Sequence, residues 1–580
     1  MEEGPEKQGS QPTRDHHLLM LSARSEEALN TMSDNLLHYL RNNPDVELAD
    51  VAHTLQVGRR TFNYSRVLVA KTPQDAVDQL ESLNSQQVFT KRQLRRDLPT
   101  VFMFPGQGSQ HINMGRDLYE AEPLYRQEID HCAELLRPHM DVDLRTMLYP
   151  DMDQLDDTQL DEIRTRINQT AIAQPAIFAT SYALAKLWMA RGIEPVSMIG
   201  HSVGEFVAAT LAGIFSLKDA LELVALRGKM MQNLPPGSMM AARLSEEFLQ
   251  PYLAYNDTLD VEIGAINGPS MCILSGPTVQ IESIQSRLEA NGIVCRPLHT
   301  SHAFHSAMME AAIEPFAAKV RTLALNPPQK PIVSTVSTTW LTDGQATDPM
   351  YWARHLREPV RFSDSVALLV ENANQILLEV GPGQVLGTLA RQHPDKSSEQ
   401  AILSSLPHVQ QEISDVDFSL QTLGRLWQSG VNLSWDEFYA NERRLRLHLP
   451  LYPFERKRFW YDTFTDGTSN SAKKEESTAA GLQGASTALN STIDSSVMAN
   501  GFQSAQAAVN GLSASEFPAN GISTDEINAG DASSTYIVSE APVAEVSTAG
   551  ISAAQRLIEQ QMQLMEMQLA ALQQARNGSR

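Results

Sequence analysis

The sequence predicts an α/β protein: a short parallel sheet flanked by helices, with a small antiparallel subdomain inserted into it. Three observations carry that expectation. Between Thr100 and about Leu403, helical patterns alternate with short β-branched runs such as Val101-Phe102-Met103-Phe104 and Ile376-Leu377-Leu378-Glu379-Val380. The strand-like Val196–Ile199 passes through Gly200-His201-Ser202-Val203-Gly204 into a helix beginning near Phe206, a strand–turn–helix unit. From about 236 to 302, after Pro235-Pro236, three strand-like runs (238–243, 262–266 and 271–275) interrupt the alternation. A chain of 580 residues, 42% of them hydrophobic, has enough apolar surface for a large core with appendages.

Taken in order, residues 1–16 are polar and without periodicity, so they are expected to be disordered. Residues 17–98 read as a small α/β unit. Ser25 caps a helix carrying Leu36, Leu37 and Leu40, Tyr64–Ala70 forms a strand, and Thr72-Pro73 opens a second helix carrying Val77, Leu80 and Leu83. Residues 99–403 form the expected catalytic domain, with 236–302 as its insert. In 404–462, Leu420–Trp435 suggests a helical hairpin, and the prolines and aromatics from Leu449 to Tyr461 suggest an extended strap that needs a surface to lie on. Residues 463–550 are rich in Ser, Thr, Ala, Gly and Asn, with acidic residues but no Lys or Arg between Ser477 and Gly550, the composition of a flexible linker. In 551–580, Ile558, Met562, Met565, Leu569 and Leu572 make a heptad seam. An amphipathic helix that docks or forms a coiled coil through 551–576 is expected there.

A net charge of −23, with no basic run to offset it, argues against nucleic-acid or anionic-membrane partners. Three scattered cysteines suggest neither a disulfide framework nor a metal site. The polar start lacks a leader-like apolar region, and no eighteen apolar residues run together, so a cytoplasmic setting is expected.

The chemistry centres on Ser202. Small residues must flank a strained turn of this type, and the free amides at the start of the following helix can stabilise an oxyanion. A serine nucleophile needs a base, and Ser301-His302-Ala303-Phe304-His305-Ser306, roughly a hundred residues later, offers two competing histidines. No motif nominates an acid to orient the base, and a backbone carbonyl is the alternative. A second glycine-rich turn, Pro105-Gly106-Gln107-Gly108-Ser109-Gln110, follows the first strand of the domain. His111 breaks the G-x-G-x-x-G pattern, so an oxyanion contact shared by the amides of Gln107 and Val203 fits better than a dinucleotide site. Arg227 lies on a helix capped by Ser216. It pairs with Glu222 or Glu205, reaches out to solvent, or grips a substrate carboxylate.

These motifs occur in one order: Phe104-Pro105-Gly106-Gln107-Gly108-Ser109-Gln110, Ala173-Gln174-Pro175-Ala176, Gly200-His201-Ser202-Val203-Gly204, Arg227, His302-Ala303-Phe304-His305 and Gly381-Pro382-Gly383. The sequence thereby resembles the malonyl-CoA:acyl carrier protein acyltransferases, above all the acyltransferase domains of type I polyketide synthases. The resemblance implies a hydrolase-like core and a ferredoxin-like insert. It implies that Ser202 is acylated, that His305 is the base, and that Gln107 and Val203 make the oxyanion hole. It also implies that Arg227 holds the substrate carboxylate, with Gln174, His201, Phe304 and Asn267 lining the substrate side, and that a main-chain carbonyl orients the base, with His355 at the matching position. Val203 and Phe304 leave little room for an α-methyl group, so malonyl-CoA is the expected donor and the 4′-phosphopantetheine thiol of an acyl carrier protein the acceptor, with no bound cofactor or metal. No carrier motif and no ketosynthase cysteine motif is present, which points to carriers on other polypeptides. The rival readings are a serine hydrolase, which would have no use for Arg227, and an inactive docking scaffold.

Overall fold

The computed structural model describes residues 9–11, 14–152, 154–254 and 260–456. The expected linker 463–550, the expected helix 551–580 and the end of the strap lie outside the described residues. The first sheet is antiparallel, order β1-β2-β3, built from β1 (His17–Ala23), β2 (Tyr64–Ala70) and β3 (Phe89–Arg92). Side chains alternate along a strand, and here both faces are apolar. Leu19, Leu21, Leu68 and Ala70 face one core, shared with the helices Glu26–Asn42, Leu48–Val57 and Pro73–Ser82, while Leu18, Met20, Val67 and Val69 join the main core. Ser25 and Thr72 cap their helices as expected, accepting from the amides of Ala28 and Asp75.

The chain enters the main sheet with β4 (Thr100–Phe104) and β5 (Pro195–Gly200). It leaves for a four-stranded sheet made of β6 (Ser238–Ala242), β7 (Glu262–Gly268), β8 (Met271–Gly276) and β9 (Cys295–Pro297), then returns with β10 (Ile332–Val333), β11 (Ile376–Glu379) and β12 (Ile402–Ser404). The main sheet is parallel throughout, order β10-β5-β4-β11-β12, with β4 and β11 fully buried. Chain direction across the sheet reverses at β4, and the loops leaving β4, β5 and β11 gather at the carboxyl end of that switch point, where such sheets place their ligands. The insert runs strand–helix–strand–strand–helix–strand, antiparallel, in order β7-β8-β6-β9, with its helices Glu246–Leu253 and Thr278–Ala290 over an apolar core of their own. This is the ferredoxin-like topology. Its fourth strand, β9, is three residues long, too short to announce itself in sequence.

Three expectations are corrected. Residues 9–11 and 14–16, expected to be disordered, lie against the fold: Ser10 donates to Asp50, Gln11 donates to the Arg443 carbonyl, and Arg14 stacks over Phe438 at 4.1 Å. Leu420–Trp435 is not a hairpin but the end of one helix, Asp415–Gln428, followed by a turn at Gly430, whose φ of +102° stops it, and by the short helix Trp435–Phe438. Basic residues do cluster: Lys91, Arg92, Arg95 and Arg96 lie on and just after β3, the sheet edge, where charge discourages pairing with another chain.

A buried ion cluster joins segments distant in sequence. Glu122 pairs with Arg191 at 3.0 Å and with Arg14 at 3.4 Å, Arg191 also donates to Ser419 Oγ, and Arg14 and Arg444 share Glu442. Arg191 has no other carboxylate among the described residues. Replacing Glu122 with Ala strands a buried guanidinium, which should cost about 3–5 kcal/mol, read as a lowered urea midpoint. An unchanged midpoint would show that the cluster is not a fastening.

Candidate active site

The turn after β5 is forced by its neighbours. A Cβ on Gly200 would lie 2.1 Å from the Glu205 amide nitrogen, and one on Gly204 would lie 2.2 Å from the Phe104 carbonyl oxygen, so only glycine fits at either place. Between them Ser202 takes a φ of +51°, a left-handed conformation unusual for a side-chain-bearing residue. Its hydroxyl is thereby lifted off the sheet at the start of the helix Gly204–Leu211.

The structure separates the two histidines. His305 Nε2 lies 2.8 Å from Ser202 Oγ, whereas His302 Nε2 bonds the Leu234 carbonyl and stacks on Phe304. His305 Nδ1 lies 2.8 Å from the Glu358 carbonyl oxygen. A carbonyl only accepts, so Nδ1 carries the proton and Nε2 presents its lone pair to the hydroxyl. Burial first, then Arg227 and His355, push the His305 pKa well below its usual range, so the ring is neutral at physiological pH.

Arg227, on the helix Leu217–Gln232, donates from Nη2 to Ser202 Oγ at 3.1 Å. Neither carboxylate considered from the sequence reaches it. Glu222 pairs with Lys319 at 2.6 Å, and Glu205 is held by Tyr351, Thr335 and His355. Arg227 is 1% exposed, its Nε has no hydrogen-bond partner, and burial alone pushes its pKa down to about 9. A guanidinium of that basicity remains protonated at neutral pH, so the site holds a buried cation awaiting an anion.

The loop after β4 abuts the same turn: the Phe104 carbonyl accepts from the His201 amide at 2.9 Å, and a Cβ on Gly106 would lie 2.8 Å from the His201 carbonyl. A Cβ on Gly381 would lie 2.4 Å from the Pro105 ring, which accounts for the first glycine of the Gly381-Pro382-Gly383 motif. Gln107 spends its side chain on Thr170 and, at 3.4 Å, on Gln174. Gln174 is buried with its Oε1 unpartnered. Among the described residues neither the Gln107 nor the Val203 amide is paired with a protein acceptor, so both are free for an oxyanion. His201 Nε2 and Asn267 Oδ1, 2.9 Å apart, join the elbow to the insert.

His355 is not the orienting group. Its ring centroid lies 6.4 Å from that of His305, and its Nε2 faces Glu205 Oε2 at 3.4 Å beneath the nucleophile helix. The one-turn offset has a simple cause: the helix Pro349–Arg354 ends at His355, and the chain must run on to Glu358 before a free carbonyl points at the base. Burial pushes the Glu205 pKa up, but His355 and the hydrogen bonds from Tyr351 and Thr335 outweigh it, and the net shift is downward. Glu358 escapes sequence reasoning because its main chain does the work. Glu205, Thr335 and Tyr351 form a buried network that no motif signals.

The arrangement can activate a hydroxyl, stabilise an oxyanion and hold an anion beside both. Residues 101–433 match the family described as "Acyl transferase domain", more than half of the chain, and residues 17–80 match "CurL-like, PKS C-terminal". This chain belongs to the acyltransferase-domain family of polyketide synthases. It is 34% identical over 77% of its length to a phenolphthiocerol/phthiocerol polyketide synthase protein of Mycobacterium tuberculosis, covering 30% of that protein. It is 31% identical over 80% of its length to the spectinabilin polyketide synthase system protein NorB of Streptomyces orinoci, covering 21% of it. The chain thus spans less than a third of each of these relatives. Among solved structures, the acyl transferase domain of ZmaA is similar with a TM-score of 0.70 at 34% identity, covering 76% of this chain and 100% of that one. The acyl transferase domain of SpnD in complex with 2-(pent-4-yn-1-yl)malonyl gives 0.65 at 32% identity, with 72% and 97% covered.

With the His305 pKa depressed, acidification must go below the ordinary histidine value of 6.5 before the base is protonated. Modification of Ser202 should therefore hold its rate down to about pH 6.5 and decline only below it. A pH–rate profile with an acid limb above that value would contradict the geometry.

Proposed function

We propose that the chain transfers a malonyl unit from malonyl-CoA to the phosphopantetheine thiol of an acyl carrier protein through an acyl-enzyme on Ser202. The observation that carries this reading is Arg227, a buried cation without a carboxylate partner among the described residues, in hydrogen-bond contact with the nucleophile. Water as sole acceptor chemistry gives such a cation nothing to do, whereas a donor with a free carboxylate supplies its missing charge.

His305 Nε2 takes the proton as Ser202 Oγ attacks the thioester carbon. Negative charge on the carbonyl oxygen falls to the amides of Gln107 and Val203. The C–S bond then breaks, and coenzyme A leaves with the proton returned by His305. The carrier thiol repeats the sequence in reverse, giving its proton to His305 and regenerating the serine. Preference for malonyl rests on Val203, 1% exposed behind the nucleophile, and Phe304, 6% exposed and pinned by stacking on His302. One excluded methyl is worth about 1 kcal/mol, so the preference is a graded one. The acceptors are carrier protein domains of polyketide synthase subunits.

Incubation with labelled malonyl-CoA should place label on Ser202. Intact-mass measurement of Ser202→Ala should show none, and a normal yield from that variant would sink the mechanism. Arg227→Ala should lower loading of malonyl about tenfold to a hundredfold more than loading of acetyl, the value of one charge-assisted contact. Equal losses for both donors would remove the carboxylate role from Arg227.

A further inference from the structure

His305 also sits in a left-handed backbone conformation, with a φ of +56°. A residue with a Cβ holds that geometry only where its surroundings impose it. The imposing contacts come from the insert. Glu262 on β7 and Ser275 on β8 are directly opposed across the antiparallel pair, so their side chains leave the same face of the sheet. Ser275, fully buried, donates its hydroxyl to the Phe304 carbonyl at 2.6 Å, on the amino side of the histidine. Glu262 Oε2 accepts the Ala307 amide at 2.9 Å, on its carboxyl side. One cross-strand pair therefore grips the backbone immediately before and just after the base. Gly264, between them in space, leaves the room: a Cβ there would stand 3.1 Å from the Phe304 carbonyl oxygen.

The same carboxylate reaches the partner of the base. Glu262 Oε1 pairs with Arg357 Nη2 at 2.8 Å, and Arg357 directly precedes Glu358, whose carbonyl fixes His305 Nδ1. Arg357 Nε lies 3.4 Å from Glu310 on the helix that follows the histidine loop. Main-chain bonds complete the seam: Val360 donates to the Gly264 carbonyl and Ile266 to the Val360 carbonyl. We propose that Glu262, Ser275 and Arg357 are positioning residues, a clamp through which the insert sets the distance and tilt of His305 relative to Ser202. The Glu262–Arg357 pair is half-exposed, and such pairs add little stability. Its value lies in fixing two loops to one point. The clamp rests on the reading of His305 as the base that activates Ser202.

The test uses the full chain and two reagents: a neutral fluorophosphonate, which reports activated Ser202 without any acyl-CoA, and labelled malonyl-CoA. Ser275→Ala and Glu262→Gln should each slow fluorophosphonate labelling about tenfold, as expected when a general base is displaced but not removed. Malonyl loading should slow by the same factor, with the apparent KM for malonyl-CoA within about twofold of the parent, because the clamp touches no substrate. Glu262→Gln combined with Arg357→Gln should be no slower than the slower single variant, since both belong to one unit. Glu262→Gln preserves side-chain volume at a half-buried position, so it gives a reading should Ser275→Ala fail to fold. A parent protein that is not labelled, variants labelled within twofold of the parent rate, or losses that multiply in the double variant would overturn the clamp. A parent labelled normally that refuses malonyl-CoA counts instead against the proposed function, and the variants still judge the clamp.

Discussion

The hydroxyl of Ser202 is the point on which the rest of the structure is organised. It contacts a lone-pair nitrogen at 2.8 Å and a guanidinium at 3.1 Å, drawn from an insert-flanked loop and from a separate helix. Neither contact is possible unless the residue is thrust out of the sheet in a left-handed turn, and that turn is possible only because glycine stands at 200 and 204. The parallel sheet, its switch point and the loops after β4 and β11 then follow as the scaffold that holds this turn from both sides. The strain at Ser202 and again at His305 is local and is borne by a core whose strands β4 and β11 are closed to solvent.

Electrostatics divides the buried charges into two classes. Glu205 is provided for, with a phenol, a hydroxyl, an amide and an imidazole around it, and it serves the floor beneath the nucleophile helix. Arg191 is likewise provided for by Glu122. Arg227 is the exception, since burial opposes its charge and no carboxylate among the described residues pairs with it. A protein tolerates an uncompensated buried cation where the compensation arrives with a ligand. The depressed basicity of His305 belongs to the same arrangement, because burial first and the neighbouring Arg227 cation second keep the imidazole neutral and able to take a proton.

Much of this is legible in the letters, for reasons that differ by element. The strand–turn–helix around Ser202 carries a side-chain signature because steric closeness demands glycine, and the caps at Ser25 and Thr72 do so because their hydroxyls bind backbone amides. Two histidines in one hexapeptide, by contrast, are indistinguishable until the chain is folded, and only the approach to Ser202 separates them. The letters place the orienting partner at His355, one turn from the Glu358 carbonyl that acts, because an atom of the main chain leaves no trace in residue identity. Residues 9–11 and 14–16 look unstructured by composition yet lie against the fold, since Arg14 finds its carboxylates only after Glu122 and Glu442 are brought together. The short β9 offers too few residues for a pattern, whereas the run Lys91-Arg92-Gln93-Leu94-Arg95-Arg96 stands in the letters and only its place at the edge strand β3 is a product of topology.

The seam at Val360, where one residue both gives and receives main-chain hydrogen bonds with β7, limits how the two lobes move. A wide rocking of the ferredoxin-like lobe would tear that two-bond stitch and drag away the carbonyl two residues earlier in the chain. Opening and disarming would then be one event. Movements of the insert are therefore confined to those that leave the stitch whole.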